Sequence, residues 1–327
     1  SYMANDLLGS NINQTDPPLH TALRGIISGP FSKPALETME SFFYDICYEQ
    51  FSEEHAEMDL AVDFAFPFVT AAICHLLGVP YEEKENIHKW AKAIVTAGYV
   101  QNGLQVAAAA QREMGALFSR LLYHHKTSRD NSNILSILAN AELDGEPLSF
   151  PIQLGTAMTV LLAGYETTAN LVINSVHILA ESSDLQSLLR NTPGLLPTAI
   201  QEALRLRPSL VSMYRKAIMD TEIEGMQIKE GDVVNAWIST ANRDPAVFET
   251  PSAFSLARKN SGMTLSFGYG IHHCIGAGLA RQLTRIALEV LLQKTMSFSL
   301  VRGVKLQPSG SLISPGFDTL PLTLTVR

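Results

Sequence analysis

The stretch Phe267–Gly278 reads FGYGIHHCIGAG, and the rest of the chain is read outward from its cysteine, Cys274. Gly268, Gly270 and Gly276 surround that residue, and glycine permits positive φ and close approach of another body to the backbone. From Ile275 the sequence IGAGLARQLTRIALEVLLQK has helical periodicity, so Cys274 is predicted at a helix N-terminus. There the helix dipole and free N–H groups favour a thiolate over a thiol. A cysteine held as an anion, with glycines clearing space around it, suits a soft metal centre.

Three readings of Cys274 compete. A free buried cysteine is the plainest, since cysteine is among the most buried residue types, but it needs neither three glycines nor an exposed turn. Zinc held by His272, His273 and Cys274 is opposed by spacing, because adjacent residues do not readily place three ligands on one tetrahedral ion. An axial thiolate on haem iron needs a single cysteine. The stretch resembles the haem-binding loop of the cytochrome P-450 superfamily, F-x-x-G-x-x-x-C-x-G, with Phe267, Gly270, Cys274 and Gly276 at its fixed positions.

Composition bounds the alternatives. The chain has 327 residues, 46% hydrophobic and 17% charged, with a net charge of −8. A sizeable core is available, and no basic run of the nucleic-acid-binding type occurs. Cys47, Cys74 and Cys274 are far apart and odd in number, which suggests a reducing compartment rather than a disulfide framework. The opening SYMANDLLGS lacks the basic and apolar regions of a signal peptide, and Ser1-Tyr2 before Met3 reads as a cloning remnant. The apolar stretches Leu60–Gly78 and Leu154–Ala180 are interrupted by polar residues and Pro67, so neither is expected to span a membrane.

Along the chain, Asp16-Pro17-Pro18 predicts a helix start with an N-cap acid. That helix would run to about Gly29 and carry His20 and Arg24 on one face, spaced i, i+4. Taken alone, these two residues are equally a solvated pair. Helices are expected over Pro34–Gln50, Phe64–Leu77, Glu82–Ala97, Leu104–His125 and Ile134–Ala141. His55, His75, His88, His124, His125 and His177 read as surface or satisfied-core histidines.

From Ser149 to about Glu181 the pattern is apolar nearly all round, as in a helix at the centre of a fold. Its middle departs from this with Ala163-Gly164-Tyr165-Glu166-Thr167-Thr168. Glycine costs about 1 kcal/mol in a helix interior, and a carboxylate there is expensive unless paired or functional. One reading is a kink with a satisfied hydroxyl. The other is a local opening of the helix, with an acid and an alcohol placed to deliver protons. Further on, a helix over Leu195–Leu206 carries Glu202 and Arg205 at i, i+3. Ser209–Lys216, Glu222–Ile228 and Asp232–Thr240 read as strands, with a turn at Glu230-Gly231. The tail from about Ser297 ends in a hairpin around Ser314-Pro315-Gly316.

Four segments, HTALR, AGYETT, EALR with Arg258, and FGYGIHHCIG, occur in the order found in the cytochrome P-450 superfamily and together cover essentially the whole chain. The chain is identified as a member of its soluble bacterial type. The resemblance implies a mainly α fold with a small β region, as one haem domain over 1–327, located in the cytoplasm. It also implies haem b (iron protoporphyrin IX) with Cys274 as axial iron ligand. His20, Arg24, Arg215 and His272 would contact the haem propionates, and Ala163, Phe267, Gly268 and Gly276 would line the cofactor. Glu166 and Thr167 would be catalytic, relaying protons, while Glu202, Arg205 and Arg258 would form a structural trio.

The implied activity is O2-dependent oxidation of a small apolar organic molecule by hydroxylation, epoxidation or oxidative coupling, with electrons from a ferredoxin and ferredoxin reductase. Thr159, Ala163, Thr167, Val211, Met213 and Ile313 are the expected pocket wall. The alternative is a haem-binding protein without turnover, a sensor or degenerate remnant. The pattern departs from the family at its front, where a first helix and the leading sheet strands are expected before DPPLHTALR. An open distal pocket, or one covered in a homo-oligomer, is the resulting expectation, together with an exposed sheet edge at Asp232–Thr240.

Overall fold

In a computed structural model of the chain, residues 11–51, 56–98, 100–128, 132–311 and 313–327 are described. Ser1-Tyr2 and His55 lie outside the described residues. Asp16 serves the first helix by a different route from a side-chain cap: its carbonyl accepts the His20 N–H at 3.0 Å. Helix α1 (Leu19–Ile27) then buries His20, Leu23 and Ile27 on one face. The single helix expected over Pro34–Gln50 is divided into α2 (Lys33–Thr38) and α3 (Glu40–Glu49). The Met39 N–H turns back onto the Leu36 carbonyl at this point.

Strand β1 (Glu57–Asp59) leads into a π turn, Leu60–Ala65, whose Ala61 and Val62 N–H groups bond to the Asp59 carboxylate, and then into α4 (Phe66–Leu77). Contrary to expectation, Leu60–Leu77 is long and apolar enough to cross a membrane. Pro67 falls in the first turn of α4, where it does not break the helix. Most of the stretch is buried inside the fold. Helices α5 (Lys84–Val95), α6 (Gly103–Ser128) and α7 (Ile134–Ala139) follow, the last started by a reciprocal Asn133–Ser136 capping box. A small hairpin, β2 (Glu142–Leu143) with β3 (Glu146–Pro147), precedes the central helix.

That helix, α8 (Phe150–Ala180), has 31 residues and so spans about 46 Å. It is packed by α4, α5, α6, α7 and later helices, which is why apolar residues occur around nearly its whole circumference. Gly164 serves this packing: a Cβ there would lie 2.9 Å from Ile73 Cδ1 of α4. Helices α9 (Ser183–Asn191) and α10 (Leu196–Leu206) run on to β4 (Ser212–Lys216).

The strand expected over Glu222–Ile228 is instead a hairpin, β5 (Thr221–Ile223) with β6 (Met226–Ile228). It turns on Glu224 and Gly225, at φ 49° and 79°, the positive pair that two-residue hairpins favour. Strand β7 (Val233–Trp237) pairs antiparallel with β4 and ends early, as the chain turns into the short helix α11 (Ile238–Ala241). Among the described residues, β7 has no strand on its other side.

After the cysteine loop, α12 (Ala277–Lys294) buries Leu279, Leu283, Ile286, Ala287, Val290 and Leu291 and packs on α8. Strands β8 (Thr295–Leu300) and β9 (Pro321–Val326) then form a sheet in the order β1-β9-β8. Between them the segment near Ser314 doubles back, with a Pro308–Phe317 bridge and a Ser309 N–H to Gly316 carbonyl bond of 2.8 Å. The result is mainly α with small, separate sheets.

Candidate active site

The cysteine loop is shaped by two of its glycines. Gly268 and Gly270 have φ of 73° and 79°, values that side-chain-bearing residues rarely adopt. They let the chain curl so that the Cys274 N–H reaches the Phe267 carbonyl at 2.8 Å. Gly276 differs from expectation: its φ is −85°, and an added Cβ would make ordinary contacts of 3.9 Å with Cys274 Sγ and Phe31. Phe267 packs against the core and carries the Arg281 guanidinium 4.4 Å from its ring centre.

Cys274 precedes the start of α12. Its side chain is accessible, yet protein surrounds the sulfur closely enough that burial raises its pKa. The Gly276 N–H and the charges of Arg24 and Arg281 pull the other way. The expectation that the helix start alone would favour thiolate is therefore corrected: desolvation outweighs it. Cys74 lacks any such opposing groups, and burial pushes its thiol up to about 12.

A basic rim adjoins this loop. The His20 and His272 rings lie 4.2 Å apart. His20 is 2% exposed, and neither of its ring nitrogens has a hydrogen-bond partner among the described residues. Arg24 Nη2 donates to the His273 carbonyl at 2.7 Å. Burial lowers the pKa of His272, as do the nearby His20, Arg215 and Arg24, while Asp16 opposes them. Arg215 is exposed on β4 and donates to the Tyr214 carbonyl at 2.8 Å. A cleft of about 480 Å³ opens among His20, Arg24, Gly270 and Ile271. The structure thus gathers His20, Arg24, Arg215, His272 and Cys274 from three distant parts of the chain.

The second group lies on α8. Ala163 is exposed although it sits mid-way along the central helix. The expected local opening of the helix is absent: α8 is continuous from Phe150 to Ala180. Thr167 Oγ1 donates to the Ala163 carbonyl at 2.6 Å, within the helix ladder rather than in place of it. Burial pushes the Glu166 carboxyl up to about 7; a hydrogen bond from Ser314 opposes this, and the charge of Asp318 adds to it. Ser314 Oγ also accepts from Asn170 Nδ2 at 3.1 Å.

Of the remaining expected pocket residues, Val211, Met213 and Ile313 are half-buried, and Val211 N–H bonds to the Ile313 carbonyl at 2.9 Å. Thr159 is buried, with its hydroxyl unpartnered among the described residues. Ser314, Asn170 and Arg281 were not anticipated. Serine and asparagine carry no spacing signal, and Arg281 reads as one more charge on a helix.

The trio predicted from EALR is fully assembled. Glu202 and Arg205 are each 0% exposed. Arg205 donates to both Glu202 oxygens at 2.8 and 3.0 Å, and to the carbonyls of Asn242, Pro251 and Ala253. Arg258 and the Ser255 N–H also reach Glu202, at 3.1 and 3.0 Å. Burial would raise the Glu202 pKa, but these hydrogen bonds and charges lower it below the usual carboxylate range.

Comparison with known proteins shows the family and the fold. The family described as Cytochrome P450 matches residues 193–313. A putative cytochrome P450, YjiB, of Bacillus subtilis is 35% identical over 87% of this chain and 74% of its own length. The bacillaene polyketide synthase cytochrome P450 PksS of Bacillus subtilis superposes with a TM-score of 0.91 at 28% identity, covering 99% of this chain and 84% of that one. A third similar structure, P450BioI in complex with a hexadec-9Z-enoic acid-ligated acyl carrier protein, gives a TM-score of 0.90 at 28% identity, covering 99% and 85%.

Proposed function

Because the chain belongs to the cytochrome P450 family, a family of haem b oxidoreductases, we propose that residues 1–327 act as one cytoplasmic haem-thiolate monooxygenase domain. Its substrate is a small apolar organic molecule, and its electrons come from a ferredoxin and ferredoxin reductase. One observation carries this reading. Buried, unpartnered His20 nitrogens stand against His272, with Arg24, Arg215 and the accessible Cys274 thiol close by.

The residues present fit haem. Buried polar atoms without partners are rare in folded proteins, and a carboxylate-bearing ligand would satisfy those of His20. Arg24, Arg215 and His272 supply charge-assisted donors for the same propionates. Cys274 would hold the iron through its thiolate, and Phe267, Gly268, Gly276 and Ala163 would line the cofactor. When bound, haem supplies the iron chemistry of reductive O2 activation, which a thiolate ligand favours.

The protein's own part is to manage charge and protons. Arg24, Arg281 and the Gly276 N–H act against, without outweighing, the desolvation that raises the Cys274 pKa. The Thr167 hydroxyl proton is committed to the Ala163 carbonyl, so its oxygen is left to accept a hydrogen bond. Glu166, pushed up to about 7, is near the value at which a general acid works well at neutral pH. The half-buried, mostly apolar Val211, Met213 and Ile313 suit an apolar substrate.

The test is a ferrous–CO difference spectrum of the haem-loaded wild type and Cys274→Ala. The wild type is expected to show the thiolate-type band and the variant to lose it; retention of that band in Cys274→Ala overturns the ligand assignment. With surrogate ferredoxin partners, NADH consumption coupled to product is expected. Bound haem with no product from any member of a substrate panel would favour haem binding without turnover.

A further inference from the structure

The central helix holds two buried hydroxyls that its own backbone does not satisfy. Other helical hydroxyls in the fold bond back to the carbonyl four residues earlier, the nearest acceptor such a group has. Thr70 on α4 reaches Phe66 at 2.7 Å, and on α8 itself Thr167 reaches Ala163 at 2.6 Å and Ser175 reaches Leu171 at 2.7 Å. Thr156 and Thr159 break this pattern. Thr156 is 0% exposed and Thr159 4%, and neither hydroxyl has a hydrogen-bond partner among the described residues. Buried polar atoms left in this way are few in a folded chain.

Their place on α8 ties them to the candidate site. Thr156, Thr159, Ala163 and Thr167 succeed one another at helical spacings and form one stripe along the helix. Ala163 is exposed, and burial deepens from it through Thr159 to Thr156. Thr159 therefore stands one turn, about 6 Å along the axis, inward from the open part of the stripe. No charged residue occurs on α8 from Phe150 to Tyr165, so the helix offers an ionised group no countercharge there. A hydroxyl can donate one proton and accept through its lone pairs, which matches a neutral alcohol or carbonyl.

We propose that Thr159, backed by Thr156, is a specificity-determining residue that hydrogen-bonds a neutral hydroxyl or carbonyl carried by an otherwise apolar substrate. That group lies about one helical turn from the part of the molecule set against Ala163. This role rests on the haem-thiolate monooxygenase reading, in which Ala163 lines the cofactor, and it names the substrate class of that same site more closely. A hydrocarbon of the same shape leaves the hydroxyl buried and unpaired, so the site selects against it. The bond also fixes which end of the substrate is turned away from the cofactor.

Binding to the haem-loaded protein is titrated through the haem absorption band with two matched series. One is dodecane and dodecanol; the other is cyclododecane, cyclododecanol, cyclododecanone and cyclododecanecarboxylate. Wild type is expected to bind an alcohol or the ketone about tenfold more tightly than the matching hydrocarbon, and the carboxylate more weakly than the alcohol. Thr159→Val, which removes the hydroxyl and keeps the branched shape, is expected to bring alcohol and hydrocarbon to equal affinity. Thr159→Ser is expected to keep the preference. Equal affinities in wild type, no binding of any probe, or an unchanged preference in Thr159→Val overturns the proposal. Tighter binding of the carboxylate than of the alcohol overturns the neutral class.

A second readout needs no ligand. Replacing a buried, unpaired hydroxyl by a methyl group is expected to leave the thermal midpoint of the haem-loaded protein unchanged or to raise it, in Thr159→Val and in Thr156→Val alike. A fall of several degrees, or failure of Thr159→Val to fold, means that the hydroxyl is already paired inside the protein and overturns the proposal. An intact thiolate-type ferrous–CO band with no preference for the alcohols sinks the role of Thr159 alone. A haem-loaded wild type without that band sinks the monooxygenase reading, and the role of Thr159 with it.

Discussion

Two glutamates, Glu202 and Glu166, are drawn into the same helical core and end with opposite chemistry. Glu202 is surrounded by donors that carry charge, namely Arg205, Arg258 and the Ser255 N–H, and is held ionised below its ordinary range. Glu166 has one neutral hydroxyl and a nearby like charge, and is held near neutrality. Burial acts in the same direction on both; the partners decide. A buried carboxylate with full ionic pairing is a fastening, and one with a single neutral donor is free to exchange a proton.

The largest expected break in this contrast is Arg205→Ala. It strips Glu202 of its bidentate partner and should cost about 3–5 kcal/mol, visible as a large fall in the urea or thermal midpoint. A midpoint within a degree or two of wild type would mean that the trio is not a fastening. Next is Glu166→Gln, which keeps size and hydrogen-bond acceptance but not acidity. Its coupled turnover should fall about 100-fold, with the ferrous–CO band unchanged. Equal turnover would remove Glu166 from proton delivery.

The two sites also differ in the sign of their pH dependence. The Glu202 pKa is lowered in the fold, so its stabilisation is present above its ordinary 4.5 and is lost as pH falls through the folded value. The Glu166 pKa is raised, so its contribution is fully present below 4.5 and is lost as pH rises through about 7. Glu166→Gln should therefore gain stability on wild type between pH 5 and pH 8, on the order of 1–3 kcal/mol. Urea melts at the two pH values measure it, and a constant difference would contradict the raised value. The smallest effect is expected at an exposed ion pair. Lys33–Glu37, at 3.7 Å with both side chains largely in water, should leave the midpoint unmoved in Lys33→Ala.

Much of this was legible in the linear chain. The 3.6-residue periodicity announced α8 and α12, because burial on a helix leaves a local, repeating mark. The glycines at 268 and 270 announced a curled loop before Cys274, because positive φ restricts residue choice in place. The His20–Arg24 pair and EALR were visible for the same reason, each lying within one or two helical turns. The misses were local competitions that periodicity does not settle. The Glu224-Gly225 turn split an apparent strand, Met39 broke an apparent helix, and α8 runs unbroken where an opening was expected.

The sequence by itself determined the family, the mainly α architecture and the candidate residues of the cysteine loop and the central helix. Those assignments rest on residue type and short spacing. Only the tertiary structure decided which polar groups meet across the fold. Ser314 and Asn170 are 144 positions apart, and their contact depends on how the tail folds back onto α8. The same holds for the balance at Cys274, where desolvation by the whole surroundings outweighs the helix start that the sequence displays. Spacing reports neighbours along the chain, whereas desolvation and charge depend on every group nearby in space.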